Sequence, residues 1–112
     1  MKGTNLGEFE ELVLLTVVLL QDEAYILKIR EELKAQANRY PAMGALHATL
    51  SRLEKKEFLS SDLAGGTAER GGRRKRGYEL TNAGKQALRD THEVRNRMWN
   101  QIPDFALRLN YG

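Results

Sequence analysis

Five cations, Arg70, Arg73, Arg74, Lys75 and Arg76, stand in one short segment against a single Glu69. An arginine fork binds phosphate bidentately, and its charge is drawn to a narrow DNA minor groove. A second group lies earlier in the chain. Leu46, Leu50 and Leu53 recur at i, i+4, i+7, so they form the inward stripe of a helix. The opposite face then carries Gly44, Ala48, Ser51 and Lys55, with His47 and Arg52 on its flanks. Solvated helix faces usually carry long charged side chains. Small residues with basic edges let a backbone come close to a ligand such as the edge of a DNA groove. Tyr40, just ahead, has a hydroxyl able to reach a phosphate. Near the C-terminus, Trp99 and Arg95 lie one helical turn apart. An aromatic face and a guanidinium suit a planar anionic ligand, although plain packing between helices is the favoured role for Trp99.

Catalytic chemistry is missing from this inventory. No nucleophile is spaced for a base, and no phosphate-cradling glycine loop precedes a helix. The adjacent carboxylates Glu10-Glu11 and Glu31-Glu32 point in different directions on a helix. With no cysteine and two histidines, a metal centre is not expected. The reading is no enzyme and no cofactor.

The elements that must hold these groups follow from periodicity. A first helix begins at Glu8, with Phe9, Leu12, Val13, Thr16, Val17 and Leu20 in register. Its other positions are also apolar, so it needs cover on more than one side, and a second subunit is one source of cover. Asp22 is expected to cap a second helix, Glu23 to Asn38, with Ile26, Ile29, Leu33 and Ala37 inward. Pro41 is expected at the first position of a third helix. Segments 58–63 and 74–80 read as two strands, joined by a glycine-rich loop and with Tyr78 and Leu80 on one face. Thr81 should cap a fourth helix that ends near Pro103. Its stripe, Leu88, Thr91, Arg95, Met98 and Ile102, is thin and finds few partners within one small domain.

The fold class is therefore mainly α with a small β-hairpin (α+β): a winged helix-turn-helix over residues 6–80, a dimerisation helix over 81–103, and a tail over 104–112. A chain of 112 residues suits one such domain. Its net charge of +3 is unevenly spread, at −2 over residues 1–40, +3 over 41–80 and +2 over 81–112, which suggests an aimed basic patch. The longest apolar run, Leu12 to Leu20, is far short of the roughly 20 residues that span a bilayer. The acidic residues before it do not suit an export signal. A cytoplasmic protein without membrane contact is expected.

Three separated segments carry a family resemblance. GALHATLSRLEKK (44–56), RGGRRKRGYELTNAGKQAL (70–88) and LGEFEELVLL (6–15) resemble the recognition helix, the wing and the first helix of PadR-type transcriptional regulators. The resemblance implies a homodimer on a pseudo-palindromic operator in double-stranded DNA. It further implies repression relieved by a small aromatic or drug-like effector. On this reading Tyr40, Gly44, His47, Ala48, Ser51, Arg52, Arg73, Arg74, Lys75 and Arg76 meet DNA, and Arg95 and Trp99 are candidates for the effector. The chain departs from the family pattern at Ile26 and Glu57, where glycine is usual, at His47, where tyrosine is usual, and at Gly77, often aromatic. Loss of the aromatic is expected to loosen the wing, and loss of the glycine at Glu57 to leave the left-handed cap of the helix lost or strained. The rival readings are a winged helix used for protein contact and a ligand-binding dimer without operator specificity.

Overall fold

The computed structural model describes residues 5–64 and 75–110. Along these, α1 (Glu8–Leu20), α2 (Ile26–Ala37), α3 (Met43–Lys55), β1 (Leu59–Ala64), β2 (Lys75–Leu80) and α4 (Asn82–Asn100) follow one another. The architecture is mainly helical with one small antiparallel sheet. The hairpin tip expected between the strands, with Arg70, Arg73 and Arg74, lies outside the described residues.

Helix α1 starts where the Gly7 N–H donates to Glu10 Oε1 at 2.9 Å. Val13, Leu14 and Val17 are buried, while Leu15, Val18 and Leu19 stay exposed. The helix that is apolar all round is thus covered on one side only within a single chain.

Helix α2 begins later than Asp22 suggested. Gln21–Glu23 form a 3-10 turn, and Tyr25 is extended at φ −95, ψ 156. The reason lies far along the chain. Tyr25 forms a bridge to Gly77, and the Tyr78 N–H donates to the Ala24 carbonyl at 3.0 Å. A residue held extended by a bridge to the edge of the wing sheet cannot sit inside a helix. At its other end α2 stops on Asn38, whose φ of 56 is the left-handed conformation asparagine tolerates.

Helix α3 also starts later than expected, at Met43 after an extended Ala42, so Pro41 precedes the helix. The Pro41 carbonyl accepts from Arg30 Nε at 2.8 Å, which braces the linker against α2. Leu46, Leu50 and Leu53 are fully buried, as their spacing requires. The helix closes with Phe58 N–H donating to the Leu53 carbonyl at 3.0 Å and Glu57 at φ 66. This is the closing turn that glycine normally serves; here a glutamate holds it under strain. Of the two outcomes expected at Glu57, a lost cap or a strained one, the structure has the strained one.

The strands pair Leu59 with Leu80, Ser61 with Tyr78 and Leu63 with Arg76. Phe58, Leu59, Tyr78 and Leu80 close the core over α1, α2 and α3. Thr81 caps α4 by accepting from the Gly84 N–H at 3.0 Å. Gly84 packs so closely that a Cβ there would lie 2.1 Å from the Phe58 carbonyl oxygen. After Leu88 and Thr91 the helix leaves the core, and its second half is exposed through Asn100. Pro103 opens a 3-10 turn over Asp104–Leu107, inside the segment expected as a tail. Among the described residues, no helix is long and apolar enough to cross a membrane.

Candidate nucleic-acid interface

Burying Leu46, Leu50 and Leu53 turns the other side of α3 outward. Gly44, His47, Ala48 and Ser51 are all exposed, and a side chain added at Gly44 would meet nothing within 4 Å. On β2, Lys75 and Arg76 are exposed as well. The two elements face a common cleft of about 660 Å³, with His47 and Ser51 on one wall and Lys75 and Arg76 on another. The start of α2, from Tyr25 to Lys28, forms a third side. The cleft also holds two carboxylates, Glu31 and Glu54.

Tyr25 fixes the base of the wing. Its backbone bridges Gly77, and its ring lies where a Cβ on Gly77 would be 3.5 Å from Cε1. The Lys75 ammonium sits 5.2 Å from the centre of that ring, within cation–π range. The Tyr25 ring thus lies beside the wing strand at residue 77, where the strand itself carries no side chain.

Arg52, at the edge of the α3 face, is engaged elsewhere. Its Nε donates to Glu10 at 3.0 Å and its Nη2 to Thr49 Oγ1 at 3.3 Å. Glu10 is 6% exposed and also accepts from Lys56 Nζ at 3.0 Å. Burial pushes the Glu10 carboxyl up. The Gly7 N–H, Lys56 and Arg52 outweigh it and hold the group below its usual range. This cluster ties α1 to the C-terminal half of α3, so the recognition-type helix is anchored to the core by charge as well as by leucines.

The model of the transcriptional regulator PadR-like family matches residues 14–90. The chain belongs to the PadR-like family of transcriptional regulators. Family members are regulators of transcription rather than enzymes. Similar solved structures include a PadR-like transcription factor from Bacteroides fragilis, 26% identical, covering 83% of this chain and 84% of that one at a TM-score of 0.66. A PadR family regulator from Clostridium difficile is 26% identical over 85% of this chain and 97% of that one, with a TM-score of 0.64. Bacillus subtilis PadR in complex with operator DNA shares the fold, at 18% identity, 76% and 46% coverage and a TM-score of 0.60. No curated protein matches the sequence.

Within this PadR-like chain the remaining site candidates fall in separate places. Tyr40 is 56% exposed at the corner between α2 and α3, with the Arg30 guanidinium 4.0 Å from its ring centre and the Lys34 ammonium 5.7 Å away. It lies apart from the cleft and forms a second basic spot. Arg73 and Arg74 fall outside the described residues. On α4, Arg95 Nη2 lies 3.0 Å from Glu11 Oε1, so the charge read as a ligand contact joins α4 to α1. Trp99, one turn on, is 64% exposed.

Sequence reading missed Tyr25, Glu54 and Ser61 as parts of this site. Tyr25 and Ser61 meet Gly77 and Arg76 from far along the chain, and Glu54 meets Ser61 across the break between helix and strand; periodicity carries no signal of such pairs. The adjacent pair Glu10-Glu11 did carry one: its two carboxylates point apart, one to α3 and one to α4.

Proposed function

We propose that this PadR-like regulator works as a homodimer that binds a roughly palindromic operator in duplex DNA and represses transcription there. The observation that carries the reading is the shared cleft: His47 and Ser51 of α3 and Lys75 and Arg76 of β2 open onto one space. A helix face of small residues fits the major groove, about 12 Å wide. Cations on the wing beside it fit the phosphates that flank the groove. Gly44, Ala48 and the edge of Arg52 extend the helix face, Tyr40 adds a backbone contact, and Arg73 and Arg74, next to Lys75 in the sequence, add further charge for DNA. The operator complex of Bacillus subtilis PadR supports the reading by its fold.

In this proposal residues 6–80 form the DNA-binding unit, 81–103 the dimer helix and 104–112 a tail, and the protein acts in the cytoplasm. The dimer helix pairs through Val94, Met98, Trp99 and Ile102, each at least 38% exposed in the single chain. A small aromatic or drug-like effector, stacked on Trp99 at that seam, relieves repression. Arg95 serves such a ligand only by leaving Glu11.

Fluorescence anisotropy with DNA upstream of the regulator's own gene, against a scrambled duplex at several salt concentrations, tests the proposal. Saturable preference for the upstream DNA, falling steeply with salt, is the expected result. Equal and weak binding to both duplexes removes the operator. Quenching of Trp99 fluorescence by an aromatic panel tests the effector; an unchanged signal across the panel counts against it.

A further inference from the structure

Two strands and a helix meet at the base of the wing through one hydroxyl. Ser61 of β1 is half-buried opposite Tyr78. Its Oγ donates to Glu54 Oε2 of α3 at 2.7 Å and accepts from Arg76 Nη1 of β2 at 2.9 Å. The direction of this chain is fixed by chemistry. A guanidinium only donates, an ionised carboxylate only accepts, and a hydroxyl alone does both.

The arrangement answers two difficulties at once. Glu54 follows His47 and Ser51 at i, i+4, i+7, so it continues the outward stripe of α3 into the cleft. A carboxylate there repels a polyanion unless it has a structural task. Arg76, for its part, is exposed at the far end of a short hairpin, and an unrestrained arginine loses its rotamer freedom on seizing a phosphate. The hydroxyl link gives Glu54 a task and restrains Arg76 beforehand. One N–H of Arg76 is spent on Ser61, and the rest of the five-donor fork is left for the cleft. A direct ion pair with Glu54 would have consumed that fork.

We infer that Ser61 is a positioning residue for DNA binding: anchored on Glu54, it holds Arg76 so that the α3 face and the wing cation meet the duplex as one rigid unit. The inference rests on the DNA-binding reading above, and it adds a residue that makes no contact with DNA itself.

Ser61→Ala removes both bonds and changes no charge. Binding to either duplex is expected to weaken about three- to tenfold, with a shallower salt dependence. Ser61→Thr keeps the hydroxyl in a residue at home in strands and restores binding. The decisive readout is the double variant. Ser61→Ala added to Arg76→Ala should cost nothing further, since the two act through one contact. Thermal denaturation of each variant separates this from general loosening.

Four results overturn parts of the argument separately. Wild-type binding by Ser61→Ala beside a weakened Arg76→Ala overturns the positioning role, and so does a fully additive double variant. Wild-type affinity and salt slope in Arg76→Ala overturn the wing contact on which the role depends. Equal binding of both duplexes by the unaltered chain strikes the operator alone, and the variant series still decides the role of Ser61 on either duplex.

Discussion

Two exposed regions of this molecule are built from opposite materials. The cleft between α3 and the wing presents small side chains, a histidine and cations, and its polar groups are tied to neighbours: Arg76 to Ser61, Ser61 to Glu54, Lys75 to the Tyr25 ring. The second half of α4 and the turn after it present Val94, Met98, Trp99, Ile102, Phe105, Leu107 and Leu109, with Leu15, Val18 and Leu19 exposed on α1. The first region is pre-organised and polar, suited to a hydrated polyanion that it meets and releases. The second is apolar and uncovered, suited to permanent burial against a like surface. In the proposed dimer, one region places the other twice at a fixed separation, so the spacing of half-sites in an operator is set by helices that never touch DNA.

The contrast is open to attack. The largest effect is expected from Met98→Glu, which puts a charge into the apolar face. Dimers should dissociate in sedimentation experiments, and operator affinity should fall by about 10²–10⁴ as the avidity of two linked half-sites is lost. Monomeric behaviour of the unaltered chain at micromolar concentration would undo the pairing of the two regions. A salt series comes next. If Lys75 and Arg76 of each subunit meet phosphate, raising salt from about 50 to 200 mM should weaken DNA binding roughly 100-fold. Association of the apolar faces should hold or strengthen over the same range. A parallel decline of both would mean that charge also holds the dimer together.

Smaller effects sharpen the account of how the cleft is held. Glu10→Gln should destabilise the fold by about 2 kcal/mol, read as a lowered thermal midpoint, because Lys56 and Arg52 lose their buried partner. The same carboxylate predicts an acid response. Its pKa in the folded chain is depressed, so its contribution is present above the unfolded carboxylate value and is lost as pH falls through the folded one. A stability profile flat through that acid range in the wild type would show that the cluster contributes nothing. Least of all, Glu57→Gly should stabilise by up to about 1 kcal/mol, since φ 66 strains a glutamate and not a glycine. DNA affinity should be unchanged, and an affinity shift would reveal that the end of α3 is adjusted to the operator.

Much of this fold is legible along the chain. Leucines at 46, 50 and 53 face inward because a helix repeats every 3.6 residues, and the small outward residues of α3 follow from the same arithmetic. Thr81 caps α4 as its type and place indicate. The apolar excess of α1 and the thin stripe of α4 signal surfaces that one chain leaves uncovered. These are local facts, decided by side chains a few residues apart, and the family motifs lie within them.

Only the tertiary structure decided what depends on residues far apart in sequence. Tyr25 is extended and α2 starts late because Gly77, from the wing, offers a bridge. Gly84 must be glycine because the Phe58 carbonyl lies against it. In the sequence Arg52 reads as a DNA contact and Arg95 as a ligand contact, yet Glu10 and Glu11, both on α1, engage them. Ser61 looks like any strand serine until Glu54 and Arg76 close on either side of it. Periodicity fixes which way a side chain points; which partner it finds there is set by how the elements pack, and no local pattern encodes that.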